Sequence, residues 1–196
     1  MLNNKLKDYT IILASASPRR KLLLEEMGIE FTVFTKNVKE DYPDSFSPTE
    51  VAKYLSELKA SAFVSDELLP NKLLITADTV VAIGNEILGK PTDKKHATEM
   101  LSKLSAGEHE VISGVCLRTA EKTHSFTVST KVFFKKLNAE EIEFYIDNFK
   151  PFDKAGAYGI QEWIGHVAIE RIEGSYFNVM GLPTHRLYEE LIKEFT

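Results

Sequence analysis

An apolar stretch at residues 73–83, LLITADTVVAI, constrains the fold of this chain more than any other feature. A run of apolar and β-branched side chains of this length predicts a central strand of a sheet. The run holds one charged residue, Asp78, with Thr76 and Thr79 close on either side. Burying a carboxylate without a partner costs free energy. We therefore expect Asp78 to be a general base or a metal ligand near the end of the strand; the alternative is a structural hydrogen bond to a neighbouring loop.

The rest of the chain alternates between strand and helix patterns. N-cap residues mark the starts of helices, and alternating apolar residues mark a hairpin. Strands are predicted at residues 10–14, 31–35, 109–119, 123–134 and 166–172, and helices after Ser17, Ser47, Thr92 and Asn138 and over 183–195. No internal repeat or linker interrupts the pattern. The mixture predicts an α/β fold with a mixed sheet, in a single domain spanning residues 1–196.

Charge and cysteine content exclude several classes of protein. The formal net charge of -5 gives no overall attraction to nucleic acid or to an anionic membrane. The single cysteine, Cys116, lies in an apolar stretch and is expected to be a core residue. The N-terminal sequence has no secretory signal, and no apolar run reaches the ~20 residues that cross a bilayer. The five histidines lack the spacing of a zinc site. These features predict a cytoplasmic protein.

The stretch SASPRR at residues 15–20 follows a predicted strand and opens a predicted helix. Unpaired N–H groups in the first turn of a helix form an anion site, to which Ser15 and Ser17 can add hydroxyl donors. Arg19 and Arg20 can add contacts to phosphate, although positive charge is unfavourable at the positive end of the helix dipole. The stretch therefore predicts either a phosphate site or a capped helix with solvated arginines.

The stretch GNEILGKP at residues 84–91 has the G-x-x-x-x-G-K spacing of a P-loop. Pro91 stands where a P-loop has serine or threonine, and proline cannot supply the hydroxyl that binds magnesium. We therefore exclude a P-loop and predict a turn with a returning strand. This hairpin would set Lys90 beside Asp78 as a candidate phosphate contact.

The stretch DKAGAYGIQEW at residues 153–163 combines glycines with Tyr158 and Gln161. Glycine allows a ligand to approach the backbone closely, and the amide of Gln161 could contact the edge of a base. Taken by itself, the stretch favours the alternative, an ordinary glycine-rich connection.

Together these stretches resemble the Maf family of nucleoside triphosphate pyrophosphatases. LASASPRR, ADTVV, LGKP, DKAGAYGIQ and RIEGSYFNVMGLP occur in the family's order over nearly the whole chain. The resemblance implies an elongated α/β fold with a central mixed sheet flanked by helices, related to the inosine triphosphate pyrophosphatases. It also implies hydrolysis between the α- and β-phosphates, which gives a nucleoside monophosphate and pyrophosphate, with Mg²⁺ or Mn²⁺ as the cofactor.

The resemblance also implies roles for individual residues. Asp78 matches the proton acceptor of the family, and Asp78 and Glu40 would hold the divalent metal. The implied substrate-binding residues are Ser15, Arg19, Arg20, Glu40, Lys59, Thr79, Lys90 and Gln161.

Base preference divides the family into branches, one of which acts on dTTP and UTP and another on 7-methyl-GTP. Arg20, Thr79 and Gln161 resemble the determinants of the first branch, whereas Glu162 stands where many members have glycine. Two alternatives remain open at this point. One is the same reaction on a modified nucleotide such as 7-methyl-GTP. The other is a non-catalytic, nucleotide-binding regulator of cell division, since Maf proteins are linked to arrest of septum formation. The family also suggests a homodimer.

Overall fold

The computed structural model describes residues 2–196, in which helices and strands alternate. None of the helices in this part of the chain is long and apolar enough to span a membrane. The elements are, in order, α1 (Leu2–Lys5), β1 (Thr10–Leu13), α2 (Pro18–Glu26), β2 (Thr32–Val33), α3 (Pro48–Ser61), a 3-10 helix (Ser65–Leu68), β3 (Lys72–Ile83), β4 (Glu86–Leu88), α4 (Lys94–Leu104), β5 (Glu108–Arg118), β6 (Thr123–Phe134), α5 (Ala139–Phe149), a 3-10 helix (Ala155–Ala157), α6 (Trp163–Val167), β7 (Ile169–Glu173), α7 (Tyr176–Met180) and α8 (Thr184–Phe195).

The strands form one mixed, seven-stranded sheet with the order β2-β1-β3-β5-β6-β7, and β4 pairs with β3 beside this row. β1 is parallel to both β2 and β3, and α2 supplies the crossover between β1 and β2. The pairs from β3 through β5 and β6 to β7 are antiparallel, as is the β3–β4 hairpin. The expected α/β fold with a central mixed sheet flanked by helices is confirmed.

One edge of β3 is open in the middle of the strand. β5 pairs with β3 along most of its length. On the opposite edge, β1 pairs with residues 72–75 and β4 pairs with residues 81–83. Residues 76–80 therefore have a neighbouring strand on one side only, and Asp78 lies at an opening in the sheet.

Helix α3 covers one face of the sheet. It begins with a capping box, in which the Ser47 hydroxyl accepts from the Glu50 N–H at 3.4 Å and the Glu50 carboxylate accepts from the Ser47 N–H at 2.8 Å. Gly114 of β5 lets the helix pack closely, because a Cβ at this position would lie 2.1 Å from the carbonyl oxygen of Ala52. The position of α3 against the sheet is thus set by backbone contact.

The opposite face of the sheet is covered by α2 and α8 at one end and by α4 and α5 at the other. Apolar side chains fill the space between these helices and the strands. Representative buried residues are Leu13, Leu24, Ile75, Leu187 and Leu191 at the first end, and Val81, Leu101, Val111, Tyr145 and Ile146 at the second.

Some element boundaries differ from the sequence prediction. The N-cap of α4 is Asp93 rather than Thr92, because the Asp93 carboxylate accepts from the N–H of His96 at 2.8 Å. The last strand begins at Ile169 rather than residue 166, because Trp163–Val167 form a short helix. The elements that the sequence did not predict, such as α1, α6 and α7, are short and carry little periodic signal.

Candidate active site

A cleft of about 640 Å³ opens at the gap in the edge of β3. It is lined by side chains from widely separated parts of the chain. All the catalytic and substrate-binding residues that the family resemblance implied are among them: Ser15, Arg19, Arg20, Glu40, Lys59, Asp78, Thr79, Lys90 and Gln161.

Two carboxylates in the cleft share one lysine. Lys59, near the end of α3, donates a hydrogen bond to Asp78 Oδ1, and its ammonium lies 3.0 Å from Glu40 Oε1. Asp78 is 8% exposed, whereas about half of the Glu40 side chain is exposed. Because both carboxylates reach the same nitrogen atom, they also lie close enough together to bind one small cation, and hard divalent cations prefer oxygen ligands of this kind.

A neighbouring threonine shows the contrast between a structural polar residue and Asp78. Thr76 points to the same face of β3, since side chains two residues apart share a face. Its hydroxyl is fully buried and donates to the carbonyl oxygen of Ser56 at 2.7 Å. Asp78 instead has a charged partner in Lys59 and faces the cleft. This arrangement favours a chemical role for Asp78 over the structural alternative.

Arg20 is fixed by acceptors from three parts of the chain. Its Nε donates to the carbonyl oxygen of Gly181 at 2.8 Å. Its terminal nitrogens donate to Ser15 Oγ at 3.3 Å and to Thr79 Oγ1 at 3.1 Å. Burial lowers the pKa of the Arg20 guanidinium from its ordinary value, and the charge of Asp78 partly offsets this. Arginine nevertheless stays protonated in proteins, so Arg20 provides a fixed positive charge in the wall of the cleft.

The first turn of α2 is capped by its own serines. The Ser17 hydroxyl accepts from the N–H of Arg20 at 3.4 Å, and the N–H of Ser17 donates to Ser15 Oγ at 3.2 Å. Ser15 therefore accepts two hydrogen bonds, one from Ser17 and one from Arg20. Its own hydroxyl proton is what it has left to offer to a ligand.

Arg19 is not simply solvated, because its guanidinium lies 3.1 Å from Asp153 Oδ2. The other Asp153 oxygen lies 2.7 Å from the ammonium of Lys154, which is itself 3.1 Å from Glu162 Oε1. Burial alone would raise the pKa of Asp153, but hydrogen bonds from Lys154 and Arg19 lower it. A chain of alternating charges thus holds Arg19 against the loop that precedes α6.

Asp153 and Lys154 also line the cleft, although neither was predicted from the sequence as a site residue. Lys154 is only 8% exposed, and the burial of a lysine cannot be seen in a sequence. The available signal was the pair of adjacent opposite charges at the start of the DKAGAYGIQEW stretch.

Lys90 and Gln161 each have a polar group available to a ligand in the cleft. Lys90 is exposed at the end of the β3–β4 hairpin, and no carboxylate among residues 2–196 forms an ion pair with it. Gln161 Oε1 is buried and has no hydrogen-bond partner within the same residues. A ligand in the cleft can therefore supply an anion to Lys90 and a donor to Gln161.

One wall of the cleft is held by a buried aromatic pair. The Tyr158 hydroxyl lies 2.8 Å from His109 Nε2. Burial lowers the pKa of His109 to about 4, so the imidazole is neutral at physiological pH. This wall supports the cleft without adding charge.

A second group of metal-binding residue types lies away from the cleft. Ligand atoms of His124, Glu190 and Glu194 lie within 4.8 Å of one another. Their carboxylates already have cationic partners, since Arg186 is 2.5 Å from Glu190 and Lys122 is 2.8 Å from Glu194. A metal ion would have to compete with these side chains, as it would with Lys59 at Asp78 and Glu40. Asp78 and Glu40 are the better candidates because they line the cleft, where a bound cation can also meet an anionic ligand.

The fold and the cleft together define a class of α/β protein in which lysine and arginine side chains surround two carboxylates. Such a cleft can bind an anionic ligand. The chain matches the model of the family described as "Maf-like protein" over residues 10–194. The chain therefore belongs to the Maf family, and the resemblance inferred from the motifs is confirmed.

Individual relatives match over the full length of the chain. A Cytophaga hutchinsonii protein named dTTP/UTP pyrophosphatase is 51% identical over 195 residues, which cover 100% of this chain and 88% of that protein. A protein of the same name from Porphyromonas gingivalis is 49% identical over 197 residues, covering 100% of this chain and 98% of the relative. Another from Flavobacterium psychrophilum is 50% identical over 192 residues, covering 98% of each.

A solved structure, that of a HAM1 protein from Coxiella burnetii, shares the fold. Its TM-score is 0.52 at 11% sequence identity, and the match covers 94% of this chain and 99% of the other. At this level of identity the likeness concerns the fold alone.

Proposed function

We propose that this protein hydrolyses nucleoside triphosphates between the α- and β-phosphates, and that dTTP and UTP are its substrates. One observation carries the proposal: a buried carboxylate, Asp78, shares Lys59 with Glu40 inside a cleft that holds further cations. Relatives that are 51%, 49% and 50% identical and are named dTTP/UTP pyrophosphatase support both the reaction and the substrates.

The cations of the cleft suit a triphosphate. Negative charge builds on the departing pyrophosphate as the α–β bond breaks, and positive groups placed in advance stabilise it. Arg19 and Lys90 line the cleft and provide this charge, whereas Arg20 contacts Thr79, where the base is proposed to bind. Arg19 has to exchange its contact with Asp153 for a phosphate, whereas Lys90 has no ion-pair partner within residues 2–196 to give up.

Asp78 is the proposed proton acceptor. Its Oδ1 is held by Lys59, which leaves the second carboxylate oxygen for a water molecule. That water attacks the α-phosphorus and passes a proton to Asp78. The new bond from water oxygen to phosphorus forms as the bond to the bridging oxygen breaks, and pyrophosphate leaves with the electron pair.

A divalent cation, Mg²⁺ or Mn²⁺, fits the same carboxylates. Asp78 and Glu40 would hold it, because their oxygens both reach the position of the Lys59 ammonium, which the ion would replace, and are the ligand type that these ions prefer. When bound, such an ion neutralises phosphate charge and polarises the phosphoryl group.

The base is proposed to contact the part of the cleft formed by Arg20, Thr79 and Gln161. These side chains offer neutral hydrogen-bonding atoms beside a fixed guanidinium. The unpartnered Oε1 of Gln161 supports this assignment, because a buried acceptor gains most from a donor on the ligand.

Analysis of the products tests the proposed function. The protein is incubated in H₂¹⁸O with Mg²⁺ or Mn²⁺ and each of dTTP, UTP, CTP, GTP, ATP and 7-methyl-GTP. The expected result is monophosphate and pyrophosphate from dTTP and UTP, with ¹⁸O in the monophosphate, because water attacks the α-phosphorus. Label in pyrophosphate would contradict the proposed attack. Turnover of 7-methyl-GTP alone would contradict the substrate, and a folded protein with no turnover would favour the non-catalytic regulator.

The domain organisation, the localisation and the partners of the protein are further proposals. We propose a single domain in the cytoplasm, where nucleoside triphosphates are made and used, with a nucleotide and no nucleic acid or membrane as its partner. The one sheet that runs through the described residues supports the single domain. A homodimer is proposed on the family resemblance, and sedimentation analysis would test it.

A further inference from the structure

Thr79 and Asp78 are consecutive on β3, so their side chains leave opposite faces of the sheet. Both line the cleft, because the edge of β3 is open beside them. Lys59 lies on the Asp78 side, whereas Arg20 and Gly181 lie on the Thr79 side. A nucleotide whose phosphates bind beside Asp78 extends its base across this edge to the Thr79 side. This step rests on the proposed function.

The Thr79 hydroxyl has its hydrogen-bond partners on the protein side. It accepts from Arg20 at 3.1 Å. It lies 2.8 Å from the hydroxyl of Ser113, the residue directly opposite on β5, and 3.4 Å from the carbonyl oxygen of Gly181. Ser113 is fully buried and also lies 3.4 Å from the carbonyl oxygen of Asn178.

Two arrangements of protons use the 2.8 Å contact between the Thr79 and Ser113 hydroxyls. In the first, Thr79 donates to Ser113 and Ser113 donates to the Asn178 carbonyl. In the second, Ser113 donates to Thr79 and Thr79 donates to the Gly181 carbonyl. The second arrangement gives the buried Ser113 hydroxyl a single hydrogen bond, whereas in the first it both accepts from Thr79 and donates to the Asn178 carbonyl. Because buried polar groups are satisfied as fully as possible, the first arrangement is favoured. In the first arrangement Thr79 donates its one proton to Ser113 and accepts from Arg20 with one of its two lone pairs, so the only thing that it can offer to the cleft is the second lone pair.

We propose that Ser113 is a positioning residue that holds the Thr79 hydroxyl as a hydrogen-bond acceptor and thereby selects bases that present an N–H group. Uracil and thymine carry a proton on N3, whereas N3 of cytosine is an acceptor. An acceptor-only hydroxyl attracts the first two bases and repels the third. Selection between bases of nearly equal size thus depends on whether the Thr79 hydroxyl accepts or donates a hydrogen bond in the cleft.

Replacing Ser113 by alanine should allow the Thr79 hydroxyl to donate a hydrogen bond into the cleft. The remaining acceptor for the Thr79 proton, the Gly181 carbonyl, lies at 3.4 Å, beyond the usual range for an O–H···O bond. The hydroxyl then becomes free to donate into the cleft, where N3 of cytosine can accept. We expect kcat/KM for CTP to rise, kcat/KM for UTP to fall, and the UTP-to-CTP ratio to drop about tenfold.

The experiment measures kcat/KM for UTP and CTP with the wild-type protein, Ser113→Ala and a control, Thr130→Val. Thr130 belongs to the same buried network, since it accepts from the Asn178 side chain at 3.0 Å, but it does not contact Thr79. A merely structural role of Ser113 would lower both rates together. Opposite changes for the two substrates in Ser113→Ala, with an unchanged ratio in Thr130→Val, would support the proposal.

The outcomes that would contradict the proposed function differ from those that would contradict the role of Ser113. A wild-type protein that hydrolyses neither substrate contradicts the proposed function itself. A wild-type protein that hydrolyses both equally, or a folded Ser113→Ala protein with the wild-type ratio, overturns the role of Ser113. If Ser113→Ala does not fold, Ser113→Cys replaces it, because a thiol is a weak hydrogen-bonding group of similar shape and should also lower the ratio.

Discussion

Arg20 contributes to stability as well as to the charge of the cleft. Its guanidinium donates to the carbonyl oxygen of Gly181 and to the hydroxyls of Ser15 and Thr79, which come from separate segments. A lysine ammonium carries the same charge but cannot reproduce this planar set of donors. The guanidinium therefore joins the start of α2, strand β3 and the turn before α8.

Arg20→Lys is expected to lower the free energy of unfolding by about 2 kcal/mol, because two of the three acceptors lose a charged donor. Urea denaturation monitored by circular dichroism measures the change. Arg19→Lys is the matched control, since its partner Asp153 is mostly exposed and such pairs contribute about 0.5 kcal/mol. Equal effects of the two substitutions would contradict the structural role of Arg20.

Asp78→Asn tests the proton acceptor. The amide has the same shape but cannot take a proton, so we expect kcat to fall about 10³-fold while UMP binds with an affinity close to that of the wild type. Steady-state kinetics and calorimetry measure the two effects. Asp93→Asn is the control, because asparagine caps a helix as well as aspartate does. An Asp78→Asn protein with near wild-type kcat would rule out the proposed role.

For individual residues, the sequence predicted the lining of the cleft, because each motif places chemically unusual residues in a recognisable context. An aspartate in an apolar strand and paired arginines at a helix start are examples. The partner of Arg19 could not be predicted, since Asp153 is 134 residues away and their contact depends on tertiary structure. The buried link from Thr79 to Ser113 was hidden for the same reason.

The contact between α3 and β5 sets where Lys59 lies. Gly114→Ala places a methyl group 2.1 Å from the carbonyl oxygen of Ala52, so the helix must move or the strand must bend. We expect a loss of about 3 kcal/mol in the free energy of unfolding. The control is Gly107→Ala, where the nearest atom to the added methyl group is 3.6 Å away. Thermal and urea denaturation of both variants test this, and a wild-type stability of Gly114→Ala would refute the close packing.

Glu194, near the end of α8, forms ion pairs with Lys122 and Lys193. Hydrogen bonds from Lys122 and Lys193 lower the pKa of Glu194 from 4.5 to about 2. A carboxylate whose pKa is lowered on folding stabilises the protein above its unfolded pKa, and this contribution disappears as pH falls through the folded value. The stabilisation is therefore complete at neutral pH and is lost on acidification from about pH 5 to about pH 2.

Glu194→Gln should have a lower melting temperature than the wild type at pH 7, and this difference should shrink between pH 5 and pH 2. Melting curves across this range test the effect. Glu189→Gln, on the same helix, controls for the substitution itself. A difference that does not change with pH would show that the ion pair is not its cause.

Element types and the two hairpins, β3–β4 and β5–β6, were predictable, whereas the pairing of β1 with β3 was not. Capping residues and alternating patterns predict helices and strands because they act locally, as Ser47 and Asn138 do at their helix starts. The sharing of one edge of β3 by β1 and β4 depends on registers that no local pattern encodes. The opening that forms the cleft was therefore invisible in the sequence, although the residues around it were not.

Among residues 2–196, the Asp78–Glu40 pair lies in the cleft, whereas the carboxylates of Glu190 and Glu194 lie away from it beside His124. Direct binding of Mn²⁺ to the nucleotide-free protein, measured by electron paramagnetic resonance, separates them. Glu40→Gln is expected to weaken Mn²⁺ binding by about tenfold or more, whereas Glu194→Gln in the distant cluster is expected to leave it unchanged. Weaker binding in Glu194→Gln with unchanged binding in Glu40→Gln would show that the metal binds beside α8 and would contradict the proposed site.

The pleat of β3 separates two tasks that are adjacent in sequence. Asp78 and Thr79 leave opposite faces of the strand, and pairing at both ends of the open edge prevents the one-residue slip that would exchange them. Under the proposed function, a mutation on the Thr79 side alters the choice of base and leaves the hydrolytic side intact. After a gene duplication, daughter copies of such a protein can diverge in substrate range by single substitutions, and each copy inherits a working reaction centre.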